Sequence, residues 1–149
     1  MTGDPIPGSD YVVRYVRPGL IDGEDVDGGA FVLRPGEAGL SINWLDYYSN
    51  IPKNQQLHLV RLLFRLTVAR KGRFTELNVG KTKEHLIEEL PALSFVEDPR
   101  CADPAAGHDA DPSHAIIDGL PDPDDQPETA DMIGVMIAEC VEAIHPATE

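Results

Sequence analysis

"PKNQQLHLVRLLFRLTVARKGRFTELNVGKTKEHLIEELP", residues 52–91, changes its hydrophobic period twice and so decides the fold class. Over 52–72, Leu59, Val60, Leu63, Leu66 and Thr67 recur at helical spacing, while Asn54, His58, Arg61 and Arg65 form a narrow polar stripe. A helix apolar around most of its circumference belongs at the centre of a core, and Gly72 stops it. Over 73–80, Phe74, Glu76 and Asn78 alternate with Thr75, Leu77 and Val79, the period of a strand. Over 81–91 a short helix returns, closed by Pro91. The switch from helix to strand and back predicts an α+β protein.

Strands are expected on both sides of this segment. "DYVVRYVR" (10–17) is rich in Val and Tyr, and "GLSINWLDYY" (39–48) fits a further strand, or a strand entering a turn. Between them, "LIDGEDVDGG" is turn chemistry and "AFVL" (30–33) a short apolar run. Downstream, 92–99 reads as a strand, 97–113 as a long acidic loop, 114–121 as a strand and its stop, and 121–127 as an acidic linker. Residues 128–145 read as an amphipathic helix with a buried stripe of Ile133, Met136, Ile137, Cys140, Val141 and Ile144. The expected architecture is one α+β domain over 1–149. It has a mixed or antiparallel sheet of about five short strands, packed by a central and a C-terminal helix.

The net charge of −14 is polarised. Residues 1–52 carry eight acids and three bases, 53–96 four acids and eight bases, and 97–149 fourteen acids and one base. The overall sign opposes nucleic-acid binding, because phosphates would be repelled. Cys101 and Cys140 form no Cys-x-x-Cys pair, so two free thiols in a reducing cytoplasm are expected. The opening "MTGDPIPGSD" lacks a leader's basic start and apolar run, and no stretch is apolar enough to span a membrane.

Several motifs invite chemistry. "GKT" (80–82) resembles the end of a phosphate loop, but Thr75 stands where that loop needs its first glycine. A strand-to-helix turn bent at Gly80 is expected instead. "DPSHAIIDGLP" (111–121) holds Asp111, Ser113, His114 and Asp118. Ser113 and His114 are adjacent, so on a strand they face opposite sides and cannot pair as nucleophile and base. If His114 is a general base, Asp111 is the expected orienting neighbour, with Arg14 or Asn43 as further members. The alternative is that His114 bonds a backbone carbonyl and ties the long loop to the sheet. His108, Asp109, Asp111 and His114, with Asp103 upstream, offer imidazole and carboxylate ligands, but their spacing matches no compact metal motif. No cofactor is expected.

"YVVRYVRPGLIDGEDV", "LSINWLDYYS" and "DPSHAIIDGLP" together resemble a class of short uncharacterised bacterial proteins. Those carry an early Arg-Tyr-Val strand, a Ser-Val-Asn-Trp/Arg element and a late Asp-Pro-Ser-His-Ala strand. The resemblance implies a place beside bacterial conflict or mobile systems and brings no established activity. It directs attention to Asn43, Trp44, Asp111, Ser113 and His114.

The expected function is that of a non-enzymatic accessory or interaction protein, the acidic partner of a toxin or effector. The alternatives are a small enzyme centred on His114 and a metal- or small-ligand-binding module. The expected partner is a protein, met with electrostatic assistance through Asp109, Asp111, Asp122, Asp124, Asp125, Arg61 and Arg65. No nucleic acid and no membrane is expected, and self-association stays open.

Overall fold

The computed structural model describes residues 3–64, 71–106 and 109–147. In chain order the strands are β1 (Tyr11–Val16), β2 (Ile21–Asp22), β3 (Asp25–Val26), β4 (Leu40–Trp44), β5 (Arg73–Asn78), β6 (Ser94–Glu97), β7 (His114–Asp118) and β8 (Ala143–Pro146). The helices are α1 (Lys53–Phe64), α2 (Val79–His85) and α3 (Pro127–Ala138). Six strands form one antiparallel sheet in the order β6-β7-β4-β1-β5-β8, and β2 and β3 form a separate hairpin. The fold is therefore α+β, with an all-antiparallel sheet.

β1 lies inside the sheet because both its faces are apolar. Val12 and Val16 join the larger core cluster with Leu40, Ile42, Leu77 and Ile117, under Ile133 and Ile137 of α3. Val13 points the other way and joins Phe74, Leu45, Leu57 and Val60 under α1. The sheet is thus covered on both faces by helices. α1 is not the centre of the core, as its apolar sequence had suggested. It caps the smaller cluster and leaves Leu62 exposed. Leu66, Thr67 and the rest of the expected helix through residue 70 lie outside the described residues.

The last helix is shorter than its apolar stripe predicts. It ends at Ala138, and residues 143–146 pair with β5 as the sixth strand, with Ile144 opposite Thr75. Met132, next to that stripe, is 46% exposed. α3 starts cleanly because Pro127 occupies its first turn, where a missing N–H costs nothing. It lies very close to the helical turn Gly28–Phe31. A Cβ at Gly134 would collide with the carbonyl oxygen of Gly28, and one at Gly28 would come within 2.8 Å of the Val135 nitrogen.

Residues 39–48 are a strand entering a turn: β4 stops at Trp44, and Leu45–Tyr48 turn as a short 3-10 helix. One further boundary moved. β5 stops at Asn78, whose side chain accepts from the Lys81 N–H at 2.9 Å and so starts α2 two residues early. Gly80 sits within that first helical turn. Its role is close approach: its N–H donates to the Gly8 carbonyl at 2.8 Å, and a Cβ would lie 2.7 Å from the same oxygen.

The acidic loop is a hairpin. Arg100 and Asp111 exchange both backbone hydrogen bonds at 2.9 Å, continuing the β6–β7 ladder toward a tip near residue 105. The segment 121–127 is a tight turn into α3, with Gln126 N–H on the Asp122 carbonyl at 2.8 Å. Residues 3–6 run along the outer edge of β6, through bonds such as Ile6 N–H to Phe95 C=O at 2.9 Å. No helix among the described residues is long and apolar enough to cross a membrane.

Candidate functional site

The residues singled out around 111–114 do meet, but in two separate groups. Asn43 on β4 lies opposite His114 on β7, and both project on the α1 side of the sheet, level with Val13. The Asn43 amide donates to both oxygens of Asp111, at 3.1 and 2.9 Å, and to Ser113 Oγ at 3.0 Å. The Ser113 hydroxyl donates to Asp111 at 3.0 Å. Tyr48 lies beside this group: its hydroxyl titrates above the ordinary value, chiefly through burial, with Ser113 opposing the shift and the Asp111 charge adding to it.

The Asp111 group suits anchoring better than catalysis. A nucleophile must be reached by substrate, and Ser113 is 0% exposed. Its proton is already committed to Asp111. The carboxylate in turn anchors the base of the 97–113 hairpin to β4, which a Pro112-containing bend could not do with backbone bonds alone.

His114 faces the other way along the hairpin. Its Nδ1 lies 2.9 Å from the Asp98 carbonyl and 3.2 Å from an Asp98 carboxylate oxygen. A carbonyl only accepts, so Nδ1 carries a proton. Asp98, not Asp111, is therefore the carboxylate beside this ring. The contact to the carbonyl is the tether that ties the loop to the sheet. Arg14 is remote from the ring's partners: it donates to the carbonyls of Ala30 and Ser41.

A third polar group was not foreseen. Glu76, 3% exposed, accepts from Lys53 Nζ at 2.8 Å and contacts His145 Nε2 at 3.0 Å. Lys53 also sits 4.4 Å from the centre of the Tyr11 ring. The hydrogen bond to Glu76 is the main reason the Lys53 amine titrates above its ordinary value, despite partial burial. The only signal was that this carboxylate, in the middle of "RFTELNVG", shares a strand face with Phe74. A buried carboxylate needs partners, and the sequence offered Lys53 and His145 only through long-range pairing. The triad fastens α1 and β8 to β5.

The remaining candidates are spread over the surface. Asp109 is exposed, two residues from the paired Asp111. Asp122 caps its own turn by accepting from the Asp124 N–H at 2.9 Å. Asp122 and Asp124 face Arg34 across a small cleft, and Asp125 is exposed beside them. Arg61 donates twice to the Pro146 carbonyl, at 3.1 and 2.7 Å, so the basic helix face reaches the backbone of β8. Arg65 and His108 lie outside the described residues. Among the described residues, no group of three or more His, Cys, Asp or Glu is placed to hold a metal ion.

A cleft of about 940 Å³ lies elsewhere, between the β2–β3 hairpin, α3 and β8. Val135, Ala138, Val141 and Ile144 supply its apolar surface. Among the described lining residues, Glu24, Asp25, Glu139 and Glu142 stand against one base, Arg73. Lys81 approaches Glu142 at 3.7 Å and His85 approaches Glu139 at 3.2 Å, both in exposed contacts of little strength. Sequence reading missed this cleft because its walls come together only when residues 143–146 form a strand. Set beside known proteins, the chain matches no family model, no curated protein and no solved structure.

Proposed function

We propose that this protein is a non-enzymatic interaction module that receives a basic, partly apolar segment of a partner protein in the cleft between the β2–β3 hairpin, α3 and β8. One observation carries the reading: an apolar floor edged by four carboxylates and a single arginine, on a chain of net charge −14. Val135, 52% exposed, is an apolar side chain with area left to bury. Carboxylates around it would select lysine- or arginine-bearing segments and speed their encounter. The enclosed character of Ser113 and the tethered ring of His114 favour this reading over a hydrolase centred on them. The acidic turn at 122–125 adds long-range attraction rather than contact.

Peptide display against the immobilised protein tests this, with counter-selection on a Val135→Asp, Glu139→Lys double variant. The expected result is enrichment of peptides that interleave Lys or Arg with apolar residues, lost on the variant. Enrichment of acidic peptides, or equal enrichment on the variant, rejects the cleft as the docking site.

A further inference from the structure

All three bases of the first 52 residues, Arg14, Arg17 and Arg34, line one cleft of about 330 Å³. We propose that this cleft binds a small hydroxylated phosphomonoester, with its phosphate held by the three guanidinium groups. The site is separate from the partner cleft and does not depend on it.

Arg14 is the built part. It projects from β1 into the α3 side of the sheet, where Nε donates to the Ala30 carbonyl at 2.6 Å and Nη1 to the Ser41 carbonyl at 2.7 Å. Two carbonyls fix the plane of the guanidinium, so little freedom is left to lose on binding. Arg14 forms no ion pair with a carboxylate among the described residues. Among the described residues no buried side-chain nitrogen or oxygen lacks a partner, and the Arg14 hydrogen bonds are made by Nε and Nη1, so Nη2 keeps an edge exposed toward the cleft that Arg14 lines. Its donors are thus free for an incoming oxyanion. Burial lowers the Arg14 pKa to about 10, partly offset by the charge of Glu37. A cation destabilised in this way gains most from an anion brought to it.

Arg17 and Arg34 supply the rest. Both are exposed at the mouth, on the two segments that flank the Gly28–Phe31 turn. Arginine forks match tetrahedral oxyanions, and three of them balance a dianion. The volume lies at the lower end of small-molecule sites, roughly 300–1,000 Å³, which excludes a dinucleotide. Asp131 of α3 is the one carboxylate among the described lining residues. It would repel a second phosphate and accept a hydrogen bond from a hydroxyl, hence a hydroxylated monoester.

Titration calorimetry on the full chain tests the proposal, with glycerol 3-phosphate, glycerol and acetate as probes. Saturable one-to-one binding is expected for glycerol 3-phosphate and neither other probe. Affinity should fall at least tenfold in an Arg17→Ala, Arg34→Ala variant, whose changes are at exposed positions and spare the fold. It should also rise several-fold from pH 5 to 7.5 as the phosphate becomes a dianion, its second pKa being about 6. No saturable binding overturns the proposal, as does binding unchanged in the double variant. Acetate binding as tightly as the phosphate overturns the choice of ligand class.

Discussion

Glu76 and Lys53 set up a test in which pH separates charge from shape. The Lys53 amine is held above its ordinary value of 10.5 chiefly by its hydrogen bond to Glu76. A raised amine stabilises the folded chain fully below 10.5, and that contribution is lost as pH climbs through the higher folded value. Lys53→Met should cost about 1–2 kcal/mol at pH 7, because it leaves a buried carboxylate with His145 as its one remaining partner in the triad. Glu76→Gln should cost less, since the Lys53 ammonium it frees is largely exposed. Urea unfolding of wild type and Lys53→Met should give curves that converge above about pH 10.5. A gap of constant size to pH 12 would assign the loss to side-chain fit instead. Such buried partners explain what sequence reading saw and what it missed. Asp111 and Ser113 were noticed as polar residues crowded near a strand and Asn43 through the resemblance, and the three do meet. Glu76 looked like the polar half of an alternating strand, because nothing local announces that β1 and β8 flank it.

Elements were readable where their signal is local. Pro127 marks the start of α3, and β1 carries a Val- and Tyr-rich run closed by Pro18, whereas the Asn78 cap that starts α2 was hidden inside a strand-like alternation. The end of α3 was not readable. Ile133, Ile137, Cys140 and Ile144 continue a helical spacing past Ala138, yet Ile144 belongs to a strand whose partner lies about 70 residues earlier. Pairing at that distance outweighs propensity and leaves no trace in a short window. The crossing of α3 over the Gly28–Phe31 turn gives a second test. Gly→Ala in an exposed helix gains about 1 kcal/mol in propensity. At Gly134 the added methyl meets the Gly28 carbonyl oxygen, a backbone atom that cannot rotate away. Overpacking of this kind costs about 1–3 kcal/mol, so the net effect of Gly134→Ala should be a lower melting temperature. A raised melting temperature would show that α3 can slide along the turn.

The whole molecule carries fourteen more negative than positive charges, with fourteen of its acids in residues 97–149. Self-repulsion on this scale is screened by salt over about 8 Å at physiological ionic strength. Thermal stability of the free protein should therefore rise from low salt to 0.3 M sodium chloride, and fluorescence melts measure it directly. A fall would mean that ion pairs such as Lys53–Glu76 outweigh the repulsion. The order of strands has a consequence in time. β1, at residues 11–16, is the innermost partner of β5, which follows roughly 60 residues later, and β8 closes the sheet only at residues 143–146. At about 5–20 residues per second of synthesis, β1 waits several seconds for β5 and longer for the final strand. During that interval a Val- and Tyr-rich segment has its hydrogen-bonding edge bare, which is the condition for sticking to a neighbouring nascent chain. The sheet can close only once residues 143–146 have been made and have emerged, and a chaperone that shields residues 11–16 until then should raise the yield of folded protein.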